Sequence, residues 1–125
     1  MKVPEQYLPV MPYLVVTDAA SLLDFTKKVF NAKEQLIVPM EEDSNKIMHG
    51  EIRIGDAVIM FADSNNMWGP KPAGMYLCVD DVDSLYNAGI ESGAKSLQVP
   101  EQRPYGYSAG FEDDFGNQWF LVKHD

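Results

Sequence analysis

An internal repeat of about 60 residues is the feature that most narrows the folds open to this chain. The segments "MPYLVVTDAASLL" and "GMYLCVDDVDSLY" align at a constant offset of 63, and a slip of one residue also aligns the Ala-Lys pairs at 32–33 and 94–95. This period is too long for one solenoid unit and nearly halves the 125 residues. The sequence therefore predicts two copies of one supersecondary module. The coinciding residues are Tyr13/Tyr76, Leu14/Leu77, Val16/Val79, Asp18/Asp81, Ser21/Ser84 and Leu22/Leu85.

Each copy has the local signals of a strand followed by a helix. An extended apolar run leads to Asp18 in the first copy and to Asp81 in the second, and an aspartate there can cap the first N–H groups of a helix. Apolar residues then recur at helical spacing. Asn31 and Gly93 are suited to the left-handed conformation in which helices end. We expect one amphipathic helix in each copy.

The second half of each copy predicts β-hairpins. "KIMHGEIRIGDAVIMFAD" contains Gly55-Asp56, a favoured two-residue turn, and "GYSAGFEDDFGNQWFLVK" is its counterpart. We therefore expect a single domain, residues 1–125, with module one at about 8–63, a linker at 64–74 and module two at about 75–124.

The turn at Gly55-Asp56 also predicts which side chains share a face of the first hairpin. Ile52 lies opposite Ile59 and Glu51 opposite Met60, so one face is apolar and is expected to pack against the helix. The other face carries His49 and Glu51 and turns either to a ligand cavity or to water. In the second case Glu51 and Arg53 are an exposed ion pair.

Composition excludes several classes of partner. A net charge of −9 and no basic stripe argue against nucleic-acid binding. No stretch approaches the roughly 18 apolar residues of a membrane span, and the N-terminus lacks the apolar core of an export signal. The single cysteine, Cys78, lies in an apolar run and is expected to be buried, as suits a reducing compartment. We expect a cytoplasmic protein.

Four segments, read together, have a known pattern: "PYLVVTDAASLLDFTKKVFNA", "HGEIRIGDAVIMFAD", "YLCVDDVDSLYNAGIESGAK" and "YGYSAGFEDDFGNQWFLVKH". In combination they resemble the vicinal oxygen chelate superfamily, which includes glyoxalase I, bleomycin-resistance proteins, fosfomycin-resistance enzymes and extradiol dioxygenases. The last segment is similar to the "DPFGN-W" pattern of small glyoxalase-like proteins, with Asp114 in place of Pro. The resemblance implies an α+β fold of two βαβββ modules whose curled mixed sheets surround a cup, with helices outside, usually in a homodimer.

The resemblance also assigns four positions to metal ligands, and none of them suits a metal here. These positions hold Met11, Met60, Gly74 and Phe120. Thioethers, a phenyl ring and a glycine are not ligands for the divalent ions of such enzymes. We therefore expect neither a metal nor another cofactor.

Two functional hypotheses follow, and a purely structural or protein-interaction role is a third. The first is a metal-independent protein that binds an aromatic or cationic organic molecule in an apolar cup, since aromatic and methionine side chains offer large, adaptable contacts. The expected wall residues are Met11, Tyr13, Met60, Tyr76 and Phe120, with Trp68, Tyr105 and Tyr107 at the rim.

The second hypothesis is a lyase or isomerase-like enzyme of the same superfamily. His49 and Glu51 are two residues apart on one strand, so their side chains share one face. His49 can then transfer a proton, and Glu51 can orient the His49 imidazole. A relocated metal at these two residues is a variant of this hypothesis.

Overall fold

A computed structural model describes residues 2–125, which divide into two compact units, one ending at Lys71 and the other beginning at Pro72. Each unit has the order strand, helix and three strands. The first unit contains β1 (Tyr13–Val16), α1 (Ala19–Phe30), β2 (Lys33–Pro39), β3 (Ile47–Ile54) and β4 (Ala57–Asp63). The second contains β5 (Gly74–Cys78), α2 (Val82–Glu91), β6 (Lys95–Arg103), β7 (Gly106–Glu112) and β8 (Gln118–Lys123).

The two sheets have the same topology. Their strand orders are β1-β4-β3-β2 and β5-β8-β7-β6. In each sheet the first strand pairs in parallel with the last strand of its unit, and the other neighbours are antiparallel. A parallel pair needs a long crossover connection, and the helix and the two middle strands supply it. The predicted α+β fold of two βαβββ modules is confirmed.

The predicted helix boundaries agree with the observed caps. Asp18 Oδ1 accepts the N–H of Ser21 at 3.3 Å, and Asp81 Oδ1 accepts the N–H of Ser84 at 3.0 Å. At the other ends, Asn31 has φ 55° and Gly93 has φ 101°. Among residues 2–125, no helix combines the length and the hydropathy needed to cross a bilayer.

The predicted register of the first hairpin also holds. Ile52 pairs with Ile59 and Glu51 with Met60, with Gly55 in the turn at φ 58°. The apolar face belongs to the core, where Ile52 and Ile59 are buried. The side chains of the other face therefore lie away from that core.

Cys78 differs from the prediction, since it is exposed rather than buried. Its strand, β5, is one of the two outer strands of its sheet. Cys78 lies two residues after Tyr76 and so shares its face, which is opposite to that of the buried Met75. An apolar run in the sequence therefore did not imply burial on both faces.

Contact between α2 and β7 depends on a helix position without a side chain. A Cβ added to Gly89 would lie 2.5 Å from Cε2 of Phe111, which is fully buried. Real Cβ atoms do not approach this closely, so the helix or the ring would have to move.

We therefore expect Gly89→Ala to destabilise the protein by about 1–3 kcal/mol through overpacking. Helix propensity alone predicts a gain of about 1 kcal/mol, so the sign distinguishes the two effects. Urea unfolding measures the change. The control is Asn87→Ala at an exposed position of the same helix, which should be neutral or slightly stabilising. A gain in stability for Gly89→Ala would contradict the packing described.

Candidate functional site

The first unit has a cavity of about 580 Å³ on one face of its sheet. Tyr13 and Val15 of β1 contribute to its wall and alternate with Leu14 and Val16, which are buried in the core. The lining residues are largely apolar and include one lysine. They are Tyr13, Val15, Met40, Met48, Ala62, Asp63, Asn65, Trp68 and Lys71.

Two predicted site residues, Tyr13 and Trp68, are brought together at this cavity. Trp68 is 63% exposed and Tyr13 is 47% exposed. Asn65 Oδ1 accepts the N–H groups of Met67 and Trp68, both at 2.8 Å, and thereby holds the loop that carries the indole. An exposed tryptophan fixed beside an open apolar cavity offers a flat surface for stacking.

A chain of hydrogen bonds runs from Tyr13 into the sheet. Tyr13 Oη is 3.0 Å from His49 Nδ1, and His49 Nε2 is 2.8 Å from Glu51 Oε2. An ionised carboxylate can only accept, so Nε2 carries a proton. In the neutral imidazole Nδ1 then has a lone pair and accepts from the Tyr13 hydroxyl. The chain therefore has the direction Tyr13 to His49 to Glu51.

Glu51 is a buried carboxylate, only 1% exposed, with three side-chain donors. Oε2 also accepts the Tyr7 hydroxyl at 2.6 Å, and Oε1 accepts Gln35 Nε2 at 2.9 Å. Burial raises the pKa of Glu51, but the hydrogen bonds from Tyr7, Gln35 and His49 outweigh it and hold the pKa below its ordinary value. Glu51 is therefore ionised at neutral pH.

The same charge affects the neighbouring phenols. The pKa of Tyr7 is raised by its hydrogen bond to Glu51 and by burial. The pKa of Tyr13 is raised by burial and by the negative charge of Glu51. Both hydroxyls therefore keep their protons at neutral pH and can donate them.

Sequence reasoning missed Tyr7 and Gln35 and misjudged Arg53. Arg53 does not form the exposed ion pair with Glu51 that was one alternative, because Glu51 is buried. Its Nε donates to Gln35 Oε1 at 2.7 Å and its Nη2 to the carbonyl of Gln6 at 2.9 Å. Tyr7 and Glu51 are 44 residues apart in the sequence, so no local pattern indicates that they are in contact.

The second unit has its own cavity of about 340 Å³. Phe120 lies opposite Tyr76 across the β5/β8 pair and lines the cavity, whereas its neighbour Trp119 is fully buried. Trp119 Nε1 donates to Asp113 Oδ2 at 2.8 Å. The lining residues are Tyr76, Gln98, Tyr105, Ser108, Ala109, Phe120 and Val122.

Three predicted site residues, two from the wall and one from the rim, lie elsewhere. Tyr107 shares the face of the buried Phe111 rather than that of the cavity, and its hydroxyl donates to Asp83 Oδ1 at 2.7 Å near the start of α2. Met11 and Met60 are partly exposed and are not among the lining residues of the first cavity. The predicted cup residues are thus divided: Tyr13 and Trp68 line one cavity, and Tyr76, Tyr105 and Phe120 line another.

The residues at the expected ligand positions do not fit a divalent metal. Met60 lies opposite Tyr13 in the first sheet, and Phe120 lies opposite Tyr76 in the second. Neither a thioether nor a phenyl ring holds such an ion, and Met11 and Gly74 are no better. Across residues 2–125, no three His, Cys, Asp or Glu side chains are close enough to share a metal.

We expect Glu51→Gln to lower the free energy of unfolding at neutral pH by about 1–3 kcal/mol, because the carboxylate's donors lose a charged acceptor. The Glu51 pKa is below 4.5 in the folded state, so its contribution is present above about pH 4.5 and is lost as the pH falls through the folded-state pKa. Urea unfolding from about pH 7 to about pH 3 should therefore give a flatter pH profile for the variant.

The control for this experiment is Glu42→Gln, which changes an exposed carboxylate in a loop. It should leave the profile as in the wild type. Parallel profiles for Glu51→Gln and the wild type would contradict the assigned ionisation of Glu51.

Comparison with known proteins gives consistent matches. The sequence profile of the Glyoxalase/Bleomycin resistance protein/Dioxygenase superfamily matches residues 7–121. Uncharacterized protein Rv0887c of Mycobacterium tuberculosis is 34% identical over 122 residues, covering 88% of this chain and 71% of its own length.

Two solved structures have the same fold. TioX from Micromonospora sp. ML1 has a TM-score of 0.78 at 21% identity and covers 95% of this chain and 100% of its own. The fosfomycin resistance protein FosX from Listeria monocytogenes has a TM-score of 0.70 at 17% identity and covers 93% and 92%. With the matched profile and the two βαβββ units, these comparisons show that the chain belongs to the glyoxalase/bleomycin resistance protein/dioxygenase superfamily.

Proposed function

We propose that this protein binds an aromatic organic molecule, without a metal ion, in the cavity of its first unit. The observation that carries the proposal is the pairing of two exposed aromatic side chains, Trp68 and Tyr13, at one open cavity. Met40 and Met48 add deformable apolar surface, as at sites that accept flat ligands of varied shape. Flat aromatic ligands would stack on the indole and contact both thioethers.

The charge of the wall favours one of the two ligand classes expected from the sequence. Lys71 is among the lining residues, and the only carboxylate there, Asp63, is 6% exposed. Asp63 already accepts the N–H groups of Ala19 at 2.9 Å and Ile47 at 2.7 Å. A cationic ligand would therefore meet an ammonium group without an available carboxylate. An aromatic molecule with an anionic or carbonyl oxygen fits better.

A second candidate function is an enzyme, lyase or isomerase-like, that uses His49 and Glu51. The 2.8 Å contact between His49 Nε2 and Glu51 Oε2 favours it, because a carboxylate that orients an imidazole is a recurrent acid–base arrangement. The variant with a relocated metal is less well supported, since these two residues lack a third ligand in the part of the chain that is described.

We also propose that the chain, as one domain, forms a homodimer in the cytoplasm. Strands β2 and β6 are outer strands of their sheets, and Leu36, Leu97 and Val99 on them are exposed apolar residues that pairing could cover. The exposed thiol of Cys78 suits a reducing compartment. Sedimentation should give twice the chain mass, and a monomer at micromolar concentration would contradict the dimer.

Titration with anilinonaphthalene sulfonate, an aromatic dye with one sulfonate, tests the binding function. Trp119 is fully buried and Trp68 is exposed, so quenching of tryptophan fluorescence should report mainly on Trp68. We expect Trp68→Ala to weaken dye binding at least about tenfold, or about 1.4 kcal/mol. Dye fluorescence measures affinity in that variant, and circular dichroism confirms its fold.

Two comparisons locate the site. Phe120→Ala changes the cavity of the second unit and should leave the affinity unchanged. Dialysis against a chelator should also leave it unchanged, with less than one metal per chain by elemental analysis. Loss of binding in Phe120→Ala but not in Trp68→Ala, or loss on chelation, would contradict the proposal.

A further inference from the structure

We propose that the Tyr13 hydroxyl exchanges a proton with a ligand in the first cavity, and that His49 and Glu51 act through it as positioning residues. This inference rests on the proposed binding function, because it needs a ligand in that cavity. It assigns the contact with the ligand to Tyr13, a residue that the sequence suggested only as part of a wall. Tyr13 would be the catalytic residue of the cavity.

The hydrogen bonds of the His49 imidazole indicate that Tyr13, rather than His49, contacts the ligand. His49 Nε2 is engaged by Glu51 at 2.8 Å and Nδ1 by Tyr13 at 3.0 Å, so both ring nitrogens already have partners. The His49 side chain is 25% exposed and is not among the lining residues, whereas Tyr13 is 47% exposed and lines the cavity. His49 can therefore reach a ligand by way of the Tyr13 hydroxyl.

The proton transfer balances within these groups. A C–H or O–H of the ligand gives its proton to Tyr13 Oη while the phenolic proton passes to His49 Nδ1, and the bonding electron pair stays on the ligand as an anion. The imidazolium faces the Glu51 carboxylate. Lys71, whose side chain is a cation, is among the residues that line the cavity in which the ligand anion forms. Return of a proton to a different ligand atom completes an isomerisation.

The two transfers need to be coupled rather than successive. Burial and the charge of Glu51 raise the pKa of Tyr13, so a free tyrosinate is costly at neutral pH. In the coupled transfer the phenol oxygen loses one proton as it gains another and carries little charge. Glu51 then stabilises the imidazolium that forms, as in other carboxylate–histidine pairs.

The wall chemistry defines the substrate class. The apolar and aromatic side chains favour an aromatic group, Lys71 favours an anionic group, and the hydroxyl of Tyr13 needs an acidic proton within hydrogen-bond reach. A compound with an aromatic ring, a carboxylate and a C–H beside a carbonyl meets all three conditions. Phenylpyruvate is a simple molecule of this class and serves as the probe.

Exchange of the benzylic protons of phenylpyruvate for deuterium, followed by NMR, tests the proposal. The wild-type protein should accelerate exchange above the rate in buffer. Tyr13→Phe and His49→Gln should each lower the protein-dependent rate at least about 100-fold, as removal of a proton-transfer group does. Affinity, measured from Trp68 fluorescence, should fall far less than the rate. We expect a change within about twofold for His49→Gln, which does not contact the ligand. For Tyr13→Phe we expect a loss of at most about tenfold, because that variant lacks one hydrogen bond to the ligand.

Tyr86→Phe is the matched control, since it removes a tyrosine hydroxyl bonded to Ser96 in the second unit. It should leave the exchange rate unchanged. Nitrogen NMR of the imidazole provides a readout without any ligand: neutral His49 should carry its proton on Nε2, and the Nδ1 signal should shift in Tyr13→Phe.

The outcomes separate this proposal from the binding function. If phenylpyruvate binds but exchanges no faster than in buffer, or equally fast with Tyr13→Phe, the proton-transfer role is overturned and the binding function stands. A proton on Nδ1 of neutral His49 also overturns it. If neither phenylpyruvate nor the dye binds, the binding function fails and the proton-transfer role fails with it.

Discussion

The buried carboxylate of Glu51 is the constraint on which the first unit's site depends. A charge with 1% exposure is tolerated only if hydrogen bonds replace its hydration, and here the donors come from three parts of the chain. Tyr7 comes from the N-terminal segment, Gln35 from the edge strand β2 and His49 from β3 itself. The bond to His49 fixes which nitrogen carries the proton and thus how the imidazole meets Tyr13. The chemistry offered at the cavity follows from one buried charge.

The second unit uses its buried carboxylate differently, although the two modules are copies. Asp113, 4% exposed, accepts the N–H groups of Phe115 and Asn117, the Asn117 side-chain amide and the indole of Trp119, at 2.9 to 3.0 Å for the first three and 2.8 Å for the last. All these donors lie within six residues of Asp113, so this carboxylate holds the "DDFGNQW" turn together. The hydrogen bonds of Asp113 join nearby residues to one another. A hydrogen bond of Glu51, in contrast, connects it through His49 to Tyr13 at the cavity. The two units therefore share one topology but differ in the hydrogen bonds of their buried carboxylates.

Local signals in the sequence predicted what depends on local structure. The aspartate caps predicted where both helices begin, and the Gly55-Asp56 turn predicted the register that pairs Glu51 with Met60. Phe120, expected in a cavity wall, lines the cavity of the second unit. Features that depend on distant contacts were not predictable. The edge strand β6 is mostly exposed and has no alternation to reveal it, and the contact of Tyr7 with Glu51 spans 44 residues. Tyr107 was expected at the rim of the cup, but it lies in β7 on the face opposite to the cavity. Alternation assigns a residue to a face only when the start of the strand is known, and the sequence did not show where β7 begins.

A crystal structure of the protein with bound phenylpyruvate tests the central claim most directly. The account predicts the ligand's ring against Trp68, an oxygen or the benzylic carbon within hydrogen-bond reach of Tyr13 Oη, and no metal ion in contact with the ligand. Density for the ligand between Tyr76 and Phe120 instead, or a metal ion that coordinates it, would contradict the claim that the first unit holds a metal-independent aromatic site with Tyr13 as its polar contact.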